Sequence, residues 1–216
     1  MQQELIKRIL SSLLLIPIVI FFIFKGGIIF NLLILACLII SFYEWRSISK
    51  NKKYQIFGYI FLSLSFFTAY KLIIFSGDNK HFIFVLFICI LTDIGGYIFG
   101  KLFKGPKISK ISPNKTYSGM IGSLFFSILI IFIILNFSTV FYNINTTSIK
   151  LILLIIIISL VSQIGDFTIS YFKRLSKIKN SGNLIPGHGG LLDRIDGMIF
   201  AFPFSYICFY SGIFNL

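Results

Sequence analysis

The chain has 216 residues, of which 56% are hydrophobic, 18% aromatic and only 12% charged, with a mean hydropathy of +0.93. A soluble domain carries about 25% charged residues, so a water-soluble globule, a disordered chain and a fibrous repeat are all excluded in favour of a membrane-embedded protein. Twenty Lys and Arg against seven Asp and Glu give a formal charge of +13, which is read as the basic bias of cytoplasmic loops rather than as a nucleic-acid surface.

Seven apolar runs follow in order, roughly at 9–24, 28–43, 56–74, 82–99, 120–141, 149–164 and 198–213. The first follows Lys7-Arg8 and lacks a small-x-small cleavage site, so it is expected to be a retained helix rather than a removed signal. The first two are expected to form a tight hairpin through Lys25-Gly26-Gly27. Several runs sit near the lower limit for a spanning helix, about 17–25 residues. The fold class expected is an all-α integral membrane protein: one domain over 1–216, a polytopic bundle of about seven transmembrane helices with two long cytoplasmic loops.

Charge supports this count. The N-terminus, the 46–53 segment, the 101–115 segment and the 173–194 segment hold sixteen of the twenty basic residues. They are alternate segments, so they fall on one side, which predicts a cytoplasmic N-terminus. Glu44 and Trp45, closing the second run, read as interfacial anchors. Cys37, Cys89 and Cys208 each lie inside an apolar run without metal spacing and read as core thiols.

The polar stretches in so lipophilic a chain are where chemistry is expected. They are Gly100–Gly119 and Gly165–Gly197, the second holding three of the seven acids. Asp166 lies at a membrane boundary, where an acid is a functional candidate by default. If the helix there continues through Lys179, then Asp166, Ser170, Lys173 and Lys177 share a stripe about 60° wide. An amphipathic interfacial helix would show the same stripe.

Pro186-Gly187-His188-Gly189-Gly190-Leu191-Leu192-Asp193-Arg194-Ile195-Asp196 is harder to explain as an ordinary turn. Glycines around one His allow close backbone approach to a ligand, and successive N–H groups can cradle an anion. Asp193 and Asp196, three apart, share a helical face and repel unless a cation sits between them. Hard carboxylate oxygens suit Mg²⁺, which takes one or two carboxylates plus substrate phosphates. Arg194 can clamp a phosphate bidentately. In the first loop, Lys115 with the hydroxyls of Ser112 and Thr116 suits phosphate oxygens, although ordinary loop charge explains Lys115 equally well. Asp93, inside the fourth run, either orients the site or pairs with a Lys. No nucleotide-binding glycine motif of the P-loop or dinucleotide type is present.

Together these residues resemble the phosphatidate cytidylyltransferase (CDP-diacylglycerol synthase) family. Its signature, Ser-x-x-Lys-Arg-x4-Lys-Asp followed by Pro-Gly-His-Gly-Gly-x-Leu-Asp-Arg-x-Asp, is matched by Ser170 to Arg174, Lys179 and Pro186 to Asp196. Gly165-Asp166, Ser112 to Thr116, and Asp93 with Gly100 resemble further motifs, so 92–197 carries the likeness. Asn180 stands where the family has Asp, and Ile169 and Ser118 replace acids. The resemblance implies a nucleotidyltransferase converting CTP and phosphatidate to CDP-diacylglycerol and pyrophosphate, in a bacterial inner membrane with the site facing the cytoplasm. It implies catalytic roles for Asp166, Lys173, Arg174, His188, Asp193, Arg194 and Asp196. Substrate would be bound by Ser112, Lys115, Thr116, Ser170, Lys179, Gly187, Gly189 and Gly190. Asp166, Asp193 and Asp196 would hold Mg²⁺, a second, monovalent cation being left open. The partners expected are the two substrates, the lipid bilayer and a second copy of the chain as a homodimer, with no nucleic acid. Two other readings stay open: an ion-coupled transporter carrying its ion on Asp93 and Asp166, and an inactive homologue of the family.

Overall fold

The computed structural model describes residues 13, 17–50, 52–76, 79–109, 112, 115–136, 149–187 and 189–212. Among them the chain is helical, with no strand and only two isolated β-bridges. We number the helices α1 (Gly27–Ser49), α2 (Gln55–Ser76), α3 (Lys80–Phe103), α4 (Tyr117–Ile128), α5 (Ile130–Asn136), α6 (Ile149–Leu175), α7 (Leu192–Ile195) and α8 (Met198–Tyr210). Residues 17–25 are helical too and are parted from α1 at Gly26 and Gly27, both at positive φ. The rest of the first expected span lies outside the described residues.

Four helices, α1, α2, α3 and α6, are long and apolar enough to cross a membrane, while 117–133 and α8 are shorter apolar segments. The expected spans at 28–43, 56–74 and 82–99 all extend beyond their apolar runs. Backbone bonds continue into flanking polar residues as long as tertiary partners receive them. The expected span at 120–141 is instead two helices, with a turn at Leu129, and its last residues, 137–141, lie outside the described set. The last expected span ends at Tyr210, followed by a turn at 211–212.

α6 runs past its apolar stretch to Leu175 but stops short of Lys179. A left-handed Lys177 (φ 56°) closes it: Ile178 N–H donates to Lys173 O at 3.0 Å and Lys177 N–H to Arg174 O at 3.0 Å. That pair of bonds is a Schellman cap. Asp166, Ser170 and Lys173 therefore share a helix face, and Lys177 leaves it. The 27 residues of α6 rise about 40 Å against a hydrocarbon core of about 30 Å. One end of the helix must therefore emerge from the lipid.

Lipid tails are as apolar as Leu, so packing geometry and buried hydrogen bonds hold such a bundle together. α3 and α4 approach most closely, through Gly95, Gly96 and Gly100 on one side and Gly119, Gly122 and Ser123 on the other. A Cβ added at Gly95 would lie 2.4 Å from the Gly122 carbonyl. Thr92 links three helices: its hydroxyl donates to Ser159 Oγ on α6 at 2.8 Å, and its carbonyl accepts from Ser123 Oγ on α4 at 2.8 Å. In α8, Pro203 has no N–H for the carbonyl four residues back, that of Ile199. Ser65 of α2 fills the vacancy, its hydroxyl donating to Ile199 O at 2.6 Å. Cys37, Cys89 and Cys208 are free thiols, the latter two buried.

Both loops gather at one end of this bundle. Tyr54, before α2, packs its ring on Phe172 of α6 at 4.8 Å, and Trp45 packs on the same ring at 5.3 Å. Ser47 Oγ donates to Ser181 O at 3.1 Å, and Ser176 Oγ donates to Ile48 O. The C-terminal ends of α1, α3 and α6 thus meet the N-terminal ends of α2, α4, α7 and α8.

Candidate active site

The first loop is a hairpin. Ile108 N–H donates to Lys115 O at 3.0 Å and Tyr117 N–H to Pro106 O at 3.1 Å, returning Lys115 to the start of α4. Its ammonium pairs with Asp166 Oδ2 of α6 at 2.5 Å, both side chains about one-quarter exposed. Ser112 turns this hairpin through its carbonyl, which accepts from Lys115 N–H at 3.1 Å. Thr116 caps α4: its Oγ1 accepts from Gly119 N–H at 3.1 Å and shares a hydrogen with Ser118 Oγ at 3.0 Å. A Ser or Thr in that position satisfies a helix N–H that would otherwise lack a partner. The Thr116 hydroxyl is therefore a structural cap, and Ser118 supports it.

Asp166 also accepts from Ser170 Oγ at 3.3 Å, one turn along α6. The carboxyls of Asp166 and Asp196 are within hydrogen-bonding reach of one another. Asp93, on α3, feels Asp166 and the positive charges of Lys115 and Arg194. Burial first, and the Asp166 charge second, hold Asp196's carboxyl well above the ordinary carboxylate range. Lys173's charge opposes that rise, while Asp93's charge and the hydrogen bond to Asp166 add to it. Acids that face one another in this way favour a shared proton or a bound cation.

The second loop carries its signature on a tight turn. Ile185 and Gly189 exchange backbone bonds, Ile185 N–H to Gly189 O at 2.9 Å and Gly189 N–H to Ile185 O at 3.1 Å. Gly187 (φ 76°) and Gly189 (φ 91°) occupy the left-handed region that a side chain would resist. His188, between them, lies outside the described residues. After the turn, Asp193 is held at every oxygen. Its Oδ1 takes Lys173 Nζ at 2.7 Å, and its Oδ2 accepts from Ser181 N–H at 2.8 Å and Gly190 N–H at 3.0 Å. Both members of the ion pair are less than one-tenth exposed. Burial pushes Asp193's carboxyl up, but the bond from Lys173, the Gly190 amide, Lys173's charge and the Ser181 amide outweigh it, leaving it below the ordinary range.

Of the acids expected to share a metal, Asp166 and Asp196 are therefore together, and Asp193 is engaged by Lys173 and the loop backbone. Among the described residues no group of three or more His, Cys, Asp or Glu forms a ready metal cage. Two adjacent carboxylates without nitrogen or sulfur donors fit a hard cation that completes its shell with water and phosphate. Arg194 is exposed and its charge reaches Asp93, Arg174 donates to Ile178 O at 3.2 Å, and Lys179 is exposed on the loop.

Glu44 and Trp45, expected as interfacial anchors, are buried against protein. Both are 3% exposed. Trp45 lies on Gly58, where an added Cβ would come within 1.9 Å of the indole, and its Nε1 donates to Gln55 O at 3.0 Å. Glu44 accepts from Leu191 N–H at 2.8 Å on Oε1, and from Leu192 N–H at 2.8 Å and Ser181 Oγ at 2.7 Å on Oε2. The one sequence signal was an acid in the last turns of an apolar helix, where α1 has no other acid to explain.

The Cytidylyltransferase family model matches residues 6–79 and 75–211. The chain belongs to this family. Its relatives include the phosphatidate cytidylyltransferase of Rickettsia bellii, 34% identical over 222 aligned residues that cover 99% of this chain and 93% of the relative. That of Rickettsia felis is 32% identical over 94% of this chain and 91% of its own length. The Staphylococcus haemolyticus phosphatidate cytidylyltransferase is 40% identical over 148 residues, 68% of this chain, and the match spans about half, 54%, of that relative. Ile169, which departs from the resembled motif, lies in the apolar cluster of Trp45, Ile48, Leu62, Phe66, Leu192 and Ile199. An unpaired acid buried there would be costly. Asn180, another departure from the resembled motif, sits against Gly189, whose added Cβ would lie 3.3 Å from the Asn180 side chain.

Proposed function

We propose that this cytidylyltransferase acts on CTP and phosphatidate, releasing pyrophosphate and leaving CDP-diacylglycerol in the membrane. The observation that carries this reading is the meeting of Asp166 and Asp196, from two separate segments, beside Lys115 and Arg194 at one end of an apolar bundle. Both substrates are phosphate anions, one of them lipid-bound. A charged cluster at the mouth of a membrane bundle suits that pair, and the names of the relatives agree with it. Nothing favours a transporter, whose ion path would need acids through the bundle rather than at one end.

In the reaction a phosphatidate oxygen attacks the α-phosphorus of CTP, and the bond to the bridging oxygen of the β-phosphate breaks. The nucleophile is already an anion near neutral pH, so no protein base is required. Positioning and charge neutralisation are what the protein must supply. Lys115 and Arg194 are assigned to phosphate oxygens, Arg194 through its planar fork. Lys115 exchanges Asp166 for phosphate as substrate enters. Arg174, in the last turn of α6, and Lys179, on the following loop, are both exposed and are assigned to draw the anions in. His188 and its flanking glycines orient the triphosphate. Lys173 sets Asp193, and through it the turn that presents Asp196.

Mg²⁺ is assigned to Asp166 and Asp196. Asp193, already bonded to Lys173 and two backbone N–H groups, is assigned to hold the turn rather than the ion. When bound, the ion neutralises charge on the phosphates. The site faces the cytoplasm, where CTP is, as the distribution of basic loops supports. The test is transfer of labelled CMP from CTP to phosphatidate in detergent micelles by the purified protein, with and without Mg²⁺. CTP- and Mg²⁺-dependent lipid labelling is expected. Counterflow of an ion in sealed vesicles without CTP, and no lipid product, would overturn the assignment.

A further inference from the structure

All five acids among the described residues lie at the same end of the bundle, and four belong to helices or turns discussed above as the reacting face. The fifth, Glu44, comes from α1, remote in sequence, and is 3% exposed. We propose that Glu44 is a positioning residue, a carboxylate clamp by which α1 fixes the turn that presents Asp196 and the triphosphate-binding glycines. This rests on the cytidylyltransferase reading above.

Among the described residues, the donors to Glu44's carboxylate come from the loop that carries that turn. Leu191 N–H, Leu192 N–H and Ser181 Oγ are its three donors. Two of the donors are backbone amides, which a change of side chain cannot remove or reverse. The turn is built around the carboxylate. An added Cβ at Gly190 would lie 2.4 Å from Glu44 Oε2 and 2.2 Å from Ser181 Oγ; one at Gly182 would lie 3.0 Å from Glu44 Oε1. Gly190, part of the signature, is therefore constrained by Glu44 from the other side.

Ser181 joins Glu44 to the second anchor. Its hydroxyl donates to Glu44 while its N–H donates to Asp193 Oδ2 at 2.8 Å. Asp193 in turn holds Lys173 of α6 at 2.7 Å. The chain Glu44–Ser181–Asp193–Lys173 thus ties α1 to α6 across the loop. A buried carboxylate is unfavourable in an apolar bundle unless fully bonded. Bulk packing would be served as well by Leu at this position. What Leu cannot do is accept from two successive amides and so fix where the following residues, Asp193 to Asp196, project.

Glu44→Gln tests the role, because it keeps volume and removes one acceptor. In either amide orientation an NH₂ faces a backbone N–H, at Leu191 or at Leu192. If Glu44 positions the turn, the apparent affinity for Mg²⁺–CTP should weaken by on the order of tenfold. The KM for phosphatidate should stay within about twofold of wild type. Ser181→Ala should shift the same parameters in the same direction by less, and combined with Glu44→Gln should be less than additive. Tyr43→Ala, on the exposed neighbouring side of α1, serves as the control for disturbance of the helix. Hydrogen exchange at Leu191 and Leu192 supplies a readout independent of turnover: faster exchange there in Glu44→Gln, with α2 and α3 unchanged, is expected. Unchanged kinetics, or a fall in Vmax that merely follows the loss of folded protein with both KM values intact, would overturn the proposal. If wild type itself shows no CTP-dependent turnover, the functional reading falls, and the exchange result alone decides the clamp.

Discussion

Asp193 and Asp196 are three residues apart, and replacing each by Asn should have opposite effects on stability. Asp193→Asn removes the charge opposite Lys173, with both groups less than one-tenth exposed. Breaking one side of a buried pair costs about 3–5 kcal/mol, because the remaining charge is left uncompensated. The amide makes matters worse. Oδ2 accepts from Ser181 N–H and Gly190 N–H, and an NH₂ in its place leaves two donors facing a donor, each worth about 1–3 kcal/mol if unsatisfied. The alternative flip turns the NH₂ on Lys173. Taking the buried-pair figure alone, the thermal midpoint should fall by on the order of 10 °C for a chain of this length. Asp196→Asn acts the other way. Asp196 is buried and faces Asp166, so removing its charge relieves repulsion. The midpoint should hold or rise, while turnover is nearly lost. The assay is thermal unfolding of the detergent-solubilised variants at neutral pH, together with CMP transfer per mole of folded protein. If Asp193→Asn leaves the midpoint unmoved while abolishing turnover, the anchoring role is wrong and Asp193 is a metal ligand in its own right.

Five further outcomes are expected. Arg194→Lys keeps charge but loses the planar fork, and should lower kcat/KM by about tenfold or more, about 1.4 kcal/mol; activity equal to wild type would make Arg194 a general charge. Burial and the Asp166 charge hold Asp196's carboxyl well above the ordinary carboxylate range, so proton and Mg²⁺ compete for it; Mg²⁺ half-saturation that does not tighten as pH rises would count against the acid pair as the metal site. The sign for folding is opposite for the two acids: Asp193, held below its ordinary value, stabilises the fold above the unfolded-state pKa and loses that contribution as pH falls below it. Asp196, held above its ordinary value, favours the fold while protonated and opposes it as pH rises through its raised pKa; acid and alkaline unfolding curves of Asp193→Asn and Asp196→Asn separate the two. Gly95→Ala drives a methyl to within 2.4 Å of the Gly122 carbonyl and should destabilise by about 1–3 kcal/mol, seen as a lower thermal midpoint. For sidedness, single cysteines at Lys104 and Thr146 in a cysteine-free background should differ, an impermeant thiol reagent outside intact cells labelling only the one at Thr146.

The amino-acid sequence alone determined the class of protein and marked most of the groups proposed to react. Apolar runs and alternate basic segments report on partition between lipid and water, which depends on composition within each segment and needs no partner. Asp166, Asp196, Lys115 and Arg194 were legible for the same reason, since charge in a lipophilic chain is costly wherever it folds. Only the tertiary structure decided how those groups divide. Helical spacing made Asp193 and Asp196 look equivalent, yet Asp193 turns to Lys173 and Asp196 to Asp166, a choice made by what α6 places opposite each. Thr116 offered a hydroxyl for phosphate, and the start of α4 took it as a cap. The end of α6 was set by a left-handed Lys177 that no periodicity marks. Glu44 was least legible of all. Its partners are separated from it by well over one hundred residues, and an acid at the end of an apolar helix has the same local signature whether water or a buried turn receives it. Which of the two holds is fixed by the packing of α1 against the loop, a contact that no local pattern encodes.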